Sequence, residues 1–222
     1  MSLIVKICGL ATPEALDVAL DAGADMVGFV FFPPSPRHIA FDTARALGTR
    51  VKGRAEKVAL SVDADDAFLD AVVVALEPDL LQLHGKEPPE RLRALKARYG
   101  VPLIKAIPVE AKGDLAAIAR FADTADRLLF DACAPREATR PGGLGKPFDW
   151  HLLENLRPGV PFMLSGGLDP GNVAEALRVT RAPGVDVSSG VERAPGEKDP
   201  EKILAFIRAA RQAAADLMYP AA

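Results

Sequence analysis

Two residues could pass protons to and from a small molecule: Cys8, which precedes Gly9, and Asp131, each closing a short apolar run. A thiol and a carboxylate in sheltered positions can serve as base and acid near neutrality, because burial and neighbouring charge move their proton affinities apart. Each has a structural alternative. Cys8 could be a small buried hydrophobe, and Asp131 could be the ion-pair partner of Lys6 or Arg127.

Anion-binding features gather late in the chain. Ser165-Gly166-Gly167-Leu168-Asp169-Pro170 runs through two glycines into a helix start, which offers free backbone N–H groups and a positive dipole end. Ser188-Ser189-Gly190 does the same one unit later. In the long loop after the sixth predicted strand, Gly142-Gly143-Leu144-Gly145-Lys146 reads as a lid over a ligand or as a turn-rich surface loop. Earlier, Pro33-Pro34-Ser35-Pro36-Arg37-His38 is stiffened by three prolines, which would hold the Arg37 guanidinium for a bidentate carboxylate or phosphate contact. Gln82 and His84 either orient a substrate or satisfy an internal hydrogen-bond network.

These groups need a frame that brings them together. Short apolar runs alternate with amphipathic stretches along the whole chain, the pattern of repeated βα units over a parallel sheet. Eight strands are predicted, at Leu3–Cys8, Asp25–Phe31, Lys57–Val62, Leu80–His84, Pro102–Ile107, Arg127–Asp131, Pro161–Ser165 and Val185–Ser188. Helices are predicted over Pro13–Ala22, Asp42–Arg50, Ala64–Leu76, Pro88–Arg98, Lys112–Ala122, Asp149–Leu156, Pro170–Thr180 and Pro200–Leu217. Strand parity favours a closed barrel over an open sheet. Lys6 and Cys8 share one face of the first strand, Gln82 and His84 one face of the fourth, Arg127 and Asp131 one face of the sixth, and Asp186 and Ser188 one face of the eighth, with Lys105 the charge of the fifth. An open sheet covered on both sides would bury these charges against apolar helices, whereas a barrel lumen lets them pair. The expected fold is α/β, a single (β/α)8 barrel over residues 1–222, with its active face at the C-terminal strand ends.

The 222 residues are 49% hydrophobic and carry a formal net charge of −3. That balance supplies no basic surplus for nucleic acid or an acidic membrane, and a small molecule is the expected ligand. Cys8 and Cys133 fit neither a disulfide framework nor a CxxC metal set, so both are expected as free thiols. The first nine residues go straight into a strand, with no leader pattern and no later membrane span, so a cytoplasmic location is expected.

Taken together, Lys6-Ile7-Cys8-Gly9, Ser35-Pro36-Arg37, Gln82-Leu83-His84-Gly85, Leu129-Phe130-Asp131, Gly142-Gly143-Leu144-Gly145, Ser165-Gly166-Gly167-Leu168 and Asp186-Val187-Ser188-Ser189-Gly190-Val191-Glu192 resemble the phosphoribosylanthranilate isomerases of tryptophan biosynthesis. The resemblance runs from the first strand to the eighth. It departs at Arg136, Glu137 and Arg140, which add charge between strands 6 and 7, and in the tail beyond Leu217. It implies an Amadori rearrangement with Cys8 as general base and Asp131 as general acid. It also implies Arg37 on the anthranilate carboxylate, Gln82, His84, Gly143, Gly145 and Asp186 around the substrate, and Gly166, Gly167, Ser188, Ser189 and Gly190 around the phosphate. The chemistry so implied uses no cofactor and no metal, and the chain would act as a monomer or a homodimer. Two alternatives stay open: the related histidine-pathway sugar isomerase, which uses two aspartates where this chain has Cys8, and a non-catalytic barrel that only binds phosphorylated ligands.

Overall fold

The computed structural model describes residues 3–133 and 147–218. Eight parallel strands close into a barrel: β1 Ile4–Cys8, β2 Met26–Phe31, β3 Glu56–Ser61, β4 Leu80–Leu83, β5 Leu103–Val109, β6 Arg127–Ala132, β7 Phe162–Leu164 and β8 Gly184–Val187. Each strand pairs with the next, and β8 returns to β1 with Ile4 opposite Gly184 and Lys6 opposite Asp186. The seven α-helices among the described residues are α1 Pro13–Asp21, α2 Phe41–Val51, α3 Asp66–Leu76, α4 Pro89–Tyr99, α5 Ala117–Phe121, α6 Val173–Thr180 and α7 Pro200–Met218. None of the described helices is long and apolar enough to cross a membrane.

Parity separates two cores. Val5, Ile7, Val27, Phe29, Leu81, Leu83, Phe130 and Val187 point outward and pack with helix residues such as Leu16, Leu69, Leu92, Leu177 and Phe206. The lumen has its own apolar floor, made of Met26, Val58, Leu80, Ile104, Ala106, Leu129 and Met163. Polar side chains sit above that floor, where strand ends open toward the carboxyl face.

Four expectations need correction. Lys105 is not a lumen residue. Ile104 and Ala106 take the inward parity of β5, so Lys105 points to the helices, where its ammonium donates to Glu87 Oε2 at 2.8 Å and Gly85 O at 2.6 Å. The helix predicted over Asp149–Leu156 is only a 3-10 turn at Trp150–Leu153. The Asp149 carboxylate caps it at His151 N, Asn155 turns left-handed at φ 58°, and Pro158 disfavours helical geometry at the residue before it. The helix predicted over Lys112–Ala122 divides into a 3-10 segment, Lys112–Ala116, and α5. Finally, α6 starts three residues late, because Asp169 Oδ1 accepts from Gly171 N and Asn172 N and holds the segment as a turn. Two features were not foreseen: a 3-10 turn at Ser189–Val191, and a hairpin of β9 Glu192–Ala194 and β10 Glu197–Lys198, turning at Pro195-Gly196.

Candidate active site

Cys8 ends β1 on the inward face, 3% exposed, with Lys6 one step below it. Both crowd against Gly28 of β2, where an added Cβ would lie 2.9 Å from the Cys8 sulfur and 3.1 Å from the Lys6 nitrogen. Any side chain at that position would displace one of them. Burial pushes the Cys8 thiol above its ordinary pKa and Asp186 adds to this, while Lys6 and Lys198 pull the other way. Burial alone would lower the Lys6 ammonium, but Asp186 and then Cys8 outweigh it and hold Lys6 above its ordinary value. Lys6 Nζ donates to Asp186 Oδ1 at 2.8 Å, and Ser165 Oγ donates to Asp186 Oδ2 at 3.0 Å. Asp186 therefore has both oxygens engaged beneath the site.

Asp131 lies one residue before the end of β6 on the same inward face, 4% exposed. Neither Lys6 nor Arg127 pairs with it. Lys6 belongs to Asp186, and Arg127 points at the sulfurs of Met26 and Met163. Instead Asp131 Oδ2 meets His84 Nε2 at 3.0 Å, and His84 Nδ1 meets Gln82 Nε2 at 3.1 Å. A second oxygen, Asp131 Oδ1, accepts from Ala132 N at 2.9 Å. The inward residues of β4 and β6 thus form one chain, Gln82 to His84 to Asp131.

Arg37 is 4% exposed and lies at the end of the proline-rich loop. Its fork is engaged by a protein carboxylate: Nε donates to Glu192 Oε1 at 2.7 Å and Nη2 to Glu192 Oε2 at 2.8 Å. Lys198 donates to the same Glu192 at 2.8 Å, to Ser188 O at 2.8 Å and to Ser188 Oγ at 3.2 Å. Ser188 Oγ donates in turn to Cys8 O at 3.1 Å. Burial would raise the Glu192 carboxyl, yet Arg37 and Lys198 hold it below the usual carboxylate range. For Lys198 burial wins over Glu192, and its ammonium is lowered. Sequence reading missed Glu192 and Lys198 as site residues. The available signal was a Glu and a Lys flanking Pro195-Gly196 directly after the Ser188-Ser189-Gly190 turn.

The turns after β7 and β8 enclose a cavity of about 390 Å3 lined by Gly167, Leu168, Asp169, Pro170, Ser189, Gly190 and Lys202. Gly190 makes this closure possible. A Cβ there would sit 1.8 Å from Leu168 O, so only glycine lets the two turns meet. Of the predicted phosphate residues, Gly167, Ser189 and Gly190 line the cavity, whereas Gly166 lies against Ala132 and Asp131, and Ser188 ties β8 to β1. Lys202, whose ammonium donates to Glu192 O at 2.8 Å, is a lining cation that sequence reading did not single out. Gly143 and Gly145, with the rest of the predicted lid, fall outside the described residues. Among the described residues no group of three His, Cys, Asp or Glu side chains could hold a metal.

Reactive side chains and glycine turns at the carboxyl ends of eight closed strands place the chain among the (β/α)8-barrel enzymes. A family model for N-(5'-phosphoribosyl)anthranilate (PRA) isomerase matches residues 5–209. The N-(5'-phosphoribosyl)anthranilate isomerase of Bradyrhizobium diazoefficiens is 67% identical over 211 residues, 95% of this chain and 95% of that protein. The solved phosphoribosyl anthranilate isomerase of Thermotoga maritima superposes with a TM-score of 0.85 at 36% identity, over 95% of this chain and 99% of that one. A further solved phosphoribosyl anthranilate isomerase, in complex with reduced 1-(o-carboxyphenylamino)-1-deoxyribulose 5-phosphate, superposes at 0.82 with 34% identity, over 95% of this chain and 99% of that one. The chain belongs to the N-(5'-phosphoribosyl)anthranilate isomerase family.

Proposed function

We propose that this chain converts N-(5-phosphoribosyl)anthranilate into 1-(o-carboxyphenylamino)-1-deoxyribulose 5-phosphate, an Amadori rearrangement in tryptophan biosynthesis. The supporting observation is a juxtaposition. Ser188, hydrogen-bonded to the backbone of Cys8, is the neighbour in sequence of Ser189 and Gly190, which line the cavity between the β7 and β8 turns. A phosphate held there by backbone N–H groups leaves the sugar to extend toward the inward strand ends that carry Cys8 and Asp131.

In this reading Asp131 protonates the furanose ring oxygen, the C1–O bond breaks, and the ring opens to a protonated Schiff base. The Cys8 thiol, whose proton burial retains at rest, first releases it to water in the open site; as thiolate it then removes the proton on C2, and the electron pair moves to give the enolamine, which tautomerises to the ketone. Lys6 and Lys198 offset part of the burial cost when the thiol loses its proton. Arg37 serves as the cation for the anthranilate carboxylate, fixed in place by Glu192. Gly167, Ser189 and Gly190 cradle the phosphate with Lys202 beside them, and residues 1–222 act as one catalytic domain in the cytoplasm. The test is the fluorescence of phosphoribosylanthranilate on adding purified protein. Catalytic decay with stoichiometric product is expected, and binding without turnover would favour a barrel that only holds phosphorylated ligands.

A further inference from the structure

The hairpin of β9 and β10 holds Arg37 by its backbone and by its guanidinium. The turn, Pro195-Gly196, sets Gly196 at φ 87°, a left-handed backbone that favours glycine. Gly196 rests so closely on the proline-rich loop that a Cβ there would lie 2.4 Å from Pro36 O, the carbonyl just before Arg37. The first residue of the hairpin, Glu192, takes the guanidinium through Nε and Nη2 at 2.7 and 2.8 Å. Between these two grips the Arg37 stem crosses Gly9, where a Cβ would lie 2.7 Å from Arg37 Cδ. A long side chain is thereby kept in one arrangement, beside the residue that follows Cys8. Glu192 also accepts from Lys198 at 2.8 Å, so its charge is divided between two cations. It orients Arg37 without fully neutralising it.

We propose that the β9–β10 hairpin is the part of the molecule that selects an ortho-carboxylated aromatic amine: by gripping Arg37 at Pro36 and at Glu192, it fixes the direction in which the guanidinium meets the substrate carboxylate. This rests on Arg37 being the cation for that carboxylate. A planar guanidinium held by its Nε–Nη2 edge has the direction of its remaining edge settled. Without the hairpin the same charge would be spread over many rotamers, and the cost of ordering it would be taken from binding. Gly196 and Glu192 are therefore positioning residues, which act through Arg37.

The test compares two ligands by calorimetry: reduced 1-(o-carboxyphenylamino)-1-deoxyribulose 5-phosphate, and the same compound made from aniline, which lacks the carboxylate. Wild type should prefer the first by at least about tenfold, the fold-change of one charge-assisted hydrogen bond. Gly196→Ala pushes the turn off Pro36 and should remove most of that preference. The carboxylated compound should weaken about tenfold while the aniline compound stays within about twofold. A hairpin that only props up the fold predicts equal loss for both, so equal loss or an unchanged preference overturns the proposal. Combined with Arg37→Lys, Gly196→Ala should add little, because both act on one contact. Should Gly196→Ala fail to fold, Glu192→Gln keeps the side-chain length, loosens the same fork and is read in the same way. Arg37→Lys alone separates the two layers. If it keeps the wild-type preference, the reading of Arg37 fails; if it loses the preference while Gly196→Ala keeps it, only the hairpin assignment fails.

Discussion

The two halves of the site are built from different material. Around Cys8 and Asp131 the parts are buried side chains from strands, each fixed by named partners: Lys6 by Asp186, Asp131 by His84, Ser188 by Cys8 and Lys198. Around the cavity the parts are turns after β7 and β8, half-buried, with backbone N–H groups and one exposed cation, Lys202. The first half works by where protons and charges sit. The second works by shape. A substitution in one should therefore leave the signature of the other intact, and that independence can be broken experimentally.

The largest effect is expected in the buried half. Cys8→Ser barely changes volume and leaves the Lys6–Asp186 pair in place, so the fold should persist while kcat falls by about two to four orders of magnitude. The same thiol gives a pH signature. Its proton is held more tightly in the folded protein than in a free cysteine, first by burial and then by Asp186. The contribution to stability is therefore complete below the ordinary thiol pKa and is lost as pH rises through the elevated one. Alkylation of Cys8 by iodoacetamide, followed by peptide mass to separate it from exposed Cys133, should be slow at neutral pH and climb beyond the ordinary thiol range. Fast alkylation at neutral pH would show a thiolate at rest.

Next comes the cavity. Gly190→Ala places a Cβ within 1.8 Å of Leu168 O, a backbone atom that cannot swing aside, so the two turns must separate. Affinity for inorganic phosphate, measured by calorimetry, should fall at least about tenfold, as expected when several backbone donors lose their common focus. The alkylation profile of Cys8 should stay native. If Gly190→Ala instead shifts that profile, the two halves are one coupled unit and the comparison above is wrong.

What could be read from the residues follows the same division. Inward parity placed Lys6, Cys8, Gln82, His84, Asp131 and Asp186 correctly on the lumen face, because a strand leaves a side chain only two directions. It misplaced Lys105, since parity must be counted from the apolar floor and Ile104 and Ala106 belong to it. The glycine turns announced the cavity because few residues tolerate that backbone. Partnership was not legible. Nothing local shows that Glu192 would engage Arg37 across 155 positions, or that His84 and not Lys6 would meet Asp131. Those pairings are set by barrel closure and by an unforeseen two-stranded hairpin.

The smallest effect tests the edge of the comparison, at Lys202. Its ammonium lines the phosphate cavity but is exposed, so its attraction for an anion acts through water and competes with salt. Lys202→Met keeps the aliphatic stem and removes only the charge, together with one hydrogen bond to Glu192 O. Phosphate affinity at low ionic strength should therefore drop only about two- to fivefold, the range for exposed charge pairs. At high ionic strength wild type and variant should converge, because screening removes the wild-type advantage while the short-range backbone donors of Gly167, Ser189 and Gly190 act alike in both. Turnover at saturating substrate should not change, since the cation sits at the phosphate end and not at the reacting carbons. Two calorimetric titrations per protein, one at each ionic strength, suffice. A loss well beyond tenfold that salt does not narrow would mean that Lys202 is buried against the bound phosphate. The cavity would then work by fixed charge, as the Cys8 half does, and the contrast between the two halves would fail.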